Sequence, residues 1–232
     1  MLDVYDGLAL SAMALHVLVS PFSKVEESFN TQALHDLAVL PLSRLEDFDH
    51  RSFPGVVPRT FLGAALLTVL ALPLRPLLAP LTAHCPTLLH LQVMYRLLLG
   101  TVSVLSLGQL RRASVAKFGA RPGRLMMAVF ALGQFHLPFY CSRLLPNSYG
   151  LLACSVAHAQ WLRVCSMIAP LASPMTHLQG RPYQALGILV AGTVVFRCDL
   201  LVLLAPLALQ MLLAGEVLPA PRSRTVDVTW LR

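Results

Sequence analysis

The stretch HLQVMYRLLLGTVSVLSLGQL, residues 90–110, decides the fold class, because it carries a single charged residue, Arg96. A helix that spans a bilayer needs about 20 mainly apolar residues, and this stretch meets that length. The segment that follows, RRASVAKFGARPGR (111–124), holds five basic residues and no acidic one. The two segments together predict a membrane-spanning helix that ends at a basic connection.

Composition supports the same class along the whole chain. Of the 232 residues, 56% are hydrophobic and 12% are charged, whereas soluble domains average roughly 25% charged residues. Period-two alternation is absent and Leu and Ala outnumber the β-branched residues, which disfavours strands. We therefore predict an all-α polytopic membrane protein. The net charge of +7 does not indicate nucleic-acid binding, because the basic residues punctuate apolar runs and form no patch interleaved with aromatic residues.

The distribution of charge predicts the orientation of the chain in the membrane. Residues 24–59 hold six of the eleven acidic residues against four basic ones. Because cytoplasmic loops carry the excess of Lys and Arg, segment 111–124 is expected in the cytosol and loop 24–59 on the lumenal side.

The remaining apolar runs predict the path of the chain. The expected spans are 7–22, 90–110, 125–140, 148–162, 183–196 and 200–215. Segment 60–82 is interrupted by three prolines, which break helix interiors, so we expect a juxtamembrane or re-entrant helix pair there. This path brings 24–59, 141–147 and 197–199 to one face of the membrane. A signal peptide over 1–23 is the competing interpretation, but the acidic start MLDVYD favours an uncleaved first helix.

Two adjacent carboxylates, Glu26 and Glu27, follow the first apolar run within SKVEESFN (23–30). One interpretation is that both are solvated in the headgroup zone. The other is a general base in a cleft at the membrane surface, where one carboxylate acts and its neighbour orients it, because adjacent side chains point in different directions.

Further candidates lie in three short segments. Asp49, His50 and Arg59 stand in FDHRSFPGVVPRTF (48–61), either lining a cleft or within an ordered connector. The segment FHLPFYCSRLLPN (135–147) contains His136, Arg143 and Asn147, and FRCDL (196–200) contains Arg197 and Asp199. Arg143 either snorkels or binds a lipid phosphate, whose oxygens match its planar fork. Arg197 and Asp199 either form a functional site or a pair that locks helix packing. The spacing of the His and acidic residues does not favour a metal site.

Four stretches together resemble a known family: SPFSKVEESFNTQALHD (20–36), FDHRSFPGVVPRTFLG (48–63), FHLPFYCSRLLPN (135–147) and VFRCDL (195–200). They are similar to the dolichyl-phosphate-mannose-dependent mannosyltransferases of the endoplasmic reticulum, glycosyltransferase family 22. Within that group the resemblance is closest to the α-1,6-mannosyltransferases that add the eighth mannose to lipid-linked oligosaccharide. It implies a GT-C fold, an inverting transfer, a multi-pass endoplasmic reticulum location with a lumenal active site, and neither metal, cofactor nor nucleotide sugar.

The resemblance also implies roles for individual residues. Glu26 is expected to be the catalytic base, with Glu27 and Asp49 as neighbours or acceptor contacts, and Arg143 and Arg197 are expected on the phosphate side. The other candidates for donor or acceptor binding are Lys24, His50, Arg59, His136, Asn147 and Asp199. The implied partners are dolichyl phosphate mannose, a dolichol-linked oligosaccharide and membrane lipid.

The chain departs from the family pattern in two respects. The usual Arg-x-Glu element appears here as Arg197-Cys198-Asp199, one methylene shorter. The chain is also about half the usual length, so we expect residues 1–215 to form the N-terminal membrane module and 216–232 to be an atypical tail. A non-catalytic protein that binds dolichol-linked lipid or a partner is the alternative function. A transporter is disfavoured, because no internal repeat is evident.

Overall fold

The computed structural model describes residues 2–52, 60–74, 76, 89–129, 133–167 and 181–213. Every regular element in these ranges is helical, which confirms the all-α class. The α-helices are α1 Val4–Val19, α2 Ser28–Val39, α3 Asp49–Ser52, α4 Leu62–Ala71, α5 Leu89–Phe118, α6 Ala120–Ala128, α7 His136–Tyr140, α8 Pro146–Met167, α9 Arg181–Val195 and α10 Leu201–Leu213. Short 3₁₀ segments lie at Val25–Glu27, Leu42–Asp47, Leu72–Leu74 and Cys198–Leu200.

Helix α5 contains the stretch that decides the fold class. Its 30 residues extend over about 45 Å, and within the described part of the chain it is the one helix long and apolar enough to cross a membrane unaided. Four further apolar segments have 10–17 residues: Val4–Val19, Leu62–Leu74, Tyr183–Val195 and Cys198–Leu213.

Helices α1 and α5 pack as an antiparallel pair. Ala9, Met13 and Val17 recur every four residues on one face of α1, are buried, and pack in one cluster with Val104 and Leu107 of α5. Polar contacts mark the two ends of the pair. The end of α1 lies beside Arg96, whose Nη1 donates to the Ser20 carbonyl, and its start lies beside Arg111. Arg96 and Arg111 are about 22 Å apart along the helix axis.

An ionic cluster joins α1 to α5 at the end that carries Arg111. Asp6 is fully buried and accepts hydrogen bonds from Arg111 Nη2 at 3.4 Å and Arg112 Nη1 at 2.6 Å. Asp3 contacts Arg111 as well and caps α1, where its Oδ1 accepts from the Asp6 amide at 3.0 Å. Burial acts to raise the pKa of Asp3, but the hydrogen bonds from Asp6 and Arg111 outweigh it and hold that pKa below its usual value. Gly108 makes room for the cluster, because an added Cβ would lie 2.6 Å from an Asp6 carboxylate oxygen.

The expectation of a basic loop over 111–124 is wrong. Helix α5 continues through the basic residues to Phe118, and α6 begins at Ala120. The turn between them is Gly119, whose φ of 93° lies in the left-handed region that glycine adopts without strain. Arg, Lys and Ala are good helix formers, and the acidic residues of α1 neutralise two of the arginines, so the helix has no reason to end at Arg111.

Two other expected segments are described only in part. The expected span 125–140 corresponds to the end of α6 and to α7, with residues 130–132 outside the described ranges. The expected helix pair over 60–82 begins with α4 and the 3₁₀ segment Leu72–Leu74, and most of its second half lies outside those ranges.

Large apolar side chains cover outward faces of several helices. Leu15 and Leu18 of α1 are 61% and 64% exposed, and Val202 and Leu213 of α10 are 74% and 81% exposed. Exposed apolar faces of this kind are typical of surfaces that contact a membrane or another protein. On the inward side, α8, α9 and α10 share a core that includes Trp161, Leu189 and Met211.

Candidate active site

A buried ion pair lies where α1 ends and α8 begins. Glu27 is 0% exposed and Arg143 is 1% exposed, and Arg143 Nη1 donates to Glu27 Oε1 at 2.8 Å. The Leu144 amide donates to Glu27 Oε2 at 3.2 Å, and the Lys24 amide donates to Oε1 at 3.1 Å. Both carboxylate oxygens therefore have partners within the protein. A buried charge pair is tolerated when its geometry is good and its remaining polar atoms are bonded.

Arg143 also holds the backbone that leaves α1. Its Nη1 donates to the Phe22 carbonyl at 2.6 Å, and its Nη2 donates to Ser20 Oγ at 3.0 Å. The guanidinium lies over the ring of Phe139, 4.4 Å from the ring centre, which adds a cation–π contact. One side chain thus joins the segment after α1, the Glu27 carboxylate and the segment before α8.

A cavity of about 760 Å³ opens in front of this ion pair. Its described lining comes from residues 24–30, 140–149 and 193–198, together with Thr60 and Gly63. Parts of three polar segments distant in sequence therefore line one cavity. The volume lies in the range of sites that hold small molecules.

The two adjacent glutamates occupy different environments. Glu26 is exposed and lines the cavity, whereas Glu27 points away from it into the buried ion pair. The 3₁₀ turn Val25–Glu27 produces this division, because consecutive side chains on a helical turn point in different directions. Only Glu26 of the two presents a carboxylate that a ligand in the cavity reaches.

Two cationic side chains line the same cavity. Lys24 Nζ donates to the Tyr140 hydroxyl at 3.1 Å and lies 5.1 Å from the centre of the Tyr140 ring. Arg197 contacts Asp199 twice, with Nε to Oδ1 at 2.9 Å and Nη2 to Oδ2 at 2.8 Å, and its Nη1 donates to Asn147 Oδ1. The hydrogen bond from Arg197 holds the pKa of the exposed Asp199 carboxyl below its usual value.

Two further predicted site residues, Asp49 and His136, do not belong to the described lining. Asp49 is exposed at the start of α3, and His136 is exposed at the start of α7, where its ring stacks on Tyr140 at 6.2 Å between centres. His50 belongs to α3, and Arg59 falls outside the described ranges. Arg143 is not part of the lining, so its predicted phosphate contact stays a prediction and the geometry favours a role in holding Glu27.

Sequence reasoning missed two residues of the site. Asn30 lines the cavity, is 3% exposed, and donates from Nδ2 to the Leu144 carbonyl at 2.8 Å. Tyr140 lines the cavity and accepts from Lys24. Both stand inside quoted stretches, in SKVEESFN and in FHLPFYCSRLLPN, but nothing in their spacing distinguishes them from core residues.

The arrangement combines one accessible carboxylate with two cations. An exposed carboxylate in a cavity can accept a proton from a hydroxyl group, and Lys and Arg side chains bind phosphate oxygens. The site is therefore suited to a reaction between an alcohol and a phosphate ester.

Sequence comparison with known proteins agrees with this type of reaction. The chain is 37% identical to the Dol-P-Man:Man(7)GlcNAc(2)-PP-Dol alpha-1,6-mannosyltransferase of Arabidopsis thaliana over 92% of this chain and 39% of that protein. The protein of that name from Saccharomyces cerevisiae is 30% identical over 89% of this chain and 38% of its own length. No solved structure matches the chain. Residues 8–223 match the Alg9-like mannosyltransferase family, and the chain belongs to that family.

Proposed function

We propose that this chain provides the catalytic end of an inverting mannosyltransferase that moves mannose from dolichyl phosphate mannose to a dolichol-linked oligosaccharide through an α-1,6 linkage. The observation that carries the proposal is the cavity in which exposed Glu26 faces the same space as Lys24 and Arg197. The names of the relatives supply the substrates. The chain spans about two fifths of the length of these relatives, so their activity is assigned here as a proposal.

The chemistry needs one base and a cation. Phosphate is a good leaving group, so no second carboxylic acid is required to protonate it. We assign Glu26 to accept the proton of the acceptor hydroxyl as that oxygen forms a bond to C1 of mannose. The bond between C1 and the phosphate oxygen breaks on the opposite face, which inverts the configuration at C1. Lys24 and Arg197 bind the phosphate and stabilise the negative charge that it gains.

We propose a multi-pass topology in the endoplasmic reticulum membrane, with the cavity on the lumenal side. The antiparallel packing of α1 and α5 supports it, because the cavity lies at the Arg96 end and the basic segment 111–124 begins at the opposite end. The positive-inside rule then assigns the basic end to the cytosol. Residues 1–215 form the membrane module in this proposal, and the atypical tail expected over 216–232 lies outside the described ranges.

A non-catalytic protein that binds dolichol-linked lipid is the second candidate. The exposed apolar faces of α1 and α10 favour it, because binding a lipid requires contact with its hydrocarbon chain and no chemistry at Glu26.

One experiment separates the two candidates. The full-length protein is expressed in cells that lack the α-1,6-mannosyltransferase of this step. The lipid-linked oligosaccharides of these cells are then analysed by mass spectrometry. We expect conversion of the seven-mannose to the eight-mannose species. Binding of dolichyl phosphate mannose by the purified protein without any conversion supports the second candidate and contradicts the first.

A further inference from the structure

Arg96 is a fully buried arginine two turns into α5, the helix that is long enough to cross a membrane. Its Nη1 donates to the Ser20 carbonyl at 2.6 Å and to the Pro21 carbonyl at 2.9 Å. Ionisable residues within spanning helices are rare and costly, and they usually serve the function of the protein. Arg96 does not line the described part of the cavity, so any effect that it has on the site is transmitted by the backbone to which it binds.

The partners of Arg96 differ from those of the other buried arginines. Arg143 pairs with Glu27 and Arg111 pairs with Asp3 and Asp6. In the described ranges the hydrogen bonds of Arg96 go to carbonyls alone, and its Nε and Nη2 have no partner there. Its binding energy is therefore directed at the backbone of one short segment.

That segment, Ser20–Phe22, is held from two sides. Arg143 donates to the Phe22 carbonyl and to Ser20 Oγ, while Arg96 binds the carbonyls of Ser20 and Pro21. Gln92, one turn before Arg96 on α5, adds a bond from Nε2 to the Pro21 carbonyl at 3.3 Å. Ser20 is also the C-cap residue of α1, where the helix dipole favours a positive charge.

We propose that Arg96 is a positioning residue for mannosyl transfer, which fixes Ser20–Phe22 so that Lys24 and Glu26 keep their places at the cavity. The inference rests on the proposed role of Glu26. The chain runs only four residues from Phe22 to Glu26, so a shift of the first is passed to the second. A misplacement of about 1 Å at a reacting group costs up to roughly 100-fold in rate.

Hydrogen–deuterium exchange of the purified protein in lipid tests the positioning step without any assay of activity. Arg96→Lys keeps the charge but loses the planar fork and part of the reach. We therefore expect the two hydrogen-bonded amides of the following turn, those of Lys24 and Glu27, to exchange at least about 10-fold faster. Gln92→Leu, which leaves the charge of Arg96 in place, should raise exchange at the same amides by a smaller factor. Arg112→Lys is the matched control, because it makes the same change on the same helix at the end away from the cavity. Unchanged exchange at the amides of Lys24 and Glu27 in Arg96→Lys, or faster exchange spread over the whole chain, overturns the proposal.

Steady-state kinetics per folded molecule give the second measurement. We expect Arg96→Lys to lower kcat about 10- to 100-fold with the donor KM within about 3-fold of wild type, and Arg112→Lys to keep kcat. A wild-type kcat in Arg96→Lys contradicts the positioning role. If Glu26→Gln transfers mannose normally, the proposed function fails instead, and the exchange measurement still decides whether Arg96 holds the segment.

Discussion

Arg143 and Glu27 are 116 residues apart in sequence and form an ion pair of 2.8 Å from which solvent is almost excluded. The pair joins the turn before α8 to the segment after α1, directly behind the cavity. Removing one partner of a buried pair leaves the other charge without compensation, which costs about 3–5 kcal/mol. We therefore expect changes at Glu27 to lower stability and changes at its neighbour Glu26 to lower activity.

Glu27→Gln should lower the free energy of unfolding by about 3–5 kcal/mol, because it leaves the Arg143 guanidinium unpaired in the interior. Glu26→Gln is the control for size and chemistry, and should change stability by no more than about 0.5 kcal/mol, because Glu26 is exposed. Thermal unfolding in detergent measures both. Equal stability losses in the two variants would contradict the division between a buried and an exposed carboxylate.

Asp199→Asn should weaken donor binding, because it loses the charge that holds Arg197 towards the cavity. We expect the donor KM to rise about 3- to 10-fold with kcat little changed. Asp199→Glu keeps the charge and is expected to stay close to wild type. A rise in KM in both variants, or in neither, argues against orientation of Arg197 by this carboxylate.

The same pair sets an expected pH dependence. The hydrogen bond from Arg197 lowers the pKa of the Asp199 carboxyl. The carboxylate therefore stays ionised at any pH above the ordinary pKa of Asp, and the pair is lost only as pH falls through the lowered pKa. Between about pH 6 and 8 we therefore expect no step in donor KM from this group, which a KM-against-pH series of wild type and Asp199→Asn checks.

Asp6→Asn should destabilise the protein by about 3–5 kcal/mol, because Arg111 and Arg112 both lose a fully buried carboxylate. Asp3→Asn is the matched control at the same cluster. Its side chain is 40% exposed and Asn also caps helices well, so we expect a loss of about 1 kcal/mol or less. Neither change should alter kcat of the folded fraction. A similar loss in both variants would show that the burial of Asp6 does not set the strength of the cluster.

The helical class and the meeting of the three polar segments could be predicted from local patterns. Apolar runs of spanning length predict helices. The acidic or basic character of the connections between these runs predicts which connections lie on the same side of the membrane. The cavity lined by Glu26, Asn147 and Arg197 follows from that pattern. Such an argument needs only the order of segments along the chain.

The buried ion pairs of Glu27 and Asp6 could not be predicted in the same way, because their partners are joined by the tertiary fold. Nothing near Glu27 in sequence indicates Arg143, and nothing near Asp3 and Asp6 in sequence indicates that Arg111 pairs with them. The same cluster explains the error over 111–124. A run of basic residues predicts the end of a membrane-spanning helix, but Asp6 of α1 neutralises two of them and the helix continues until the turn at Gly119.

The proposed orientation has its own test in glycosylation-acceptor tags. A tag inserted after Asp47, in an exposed segment, should be modified, and a tag at Gly119, where the chain turns between α5 and α6, should not. Modification occurs only in the lumen. The reverse pattern would contradict the lumenal assignment of the cavity.

The measurement that tests the central claim most directly is mannosyl transfer by Glu26→Gln in the full-length protein. Gln matches Glu in size but cannot take a proton near neutral pH, so we expect the transfer rate to fall about 10²- to 10⁴-fold while donor affinity stays within about 3-fold. Glu46→Gln, the same change at an exposed carboxylate of the segment Leu42–Asp47, should transfer at the wild-type rate. Wild-type transfer by Glu26→Gln would contradict the assignment of Glu26 as the base.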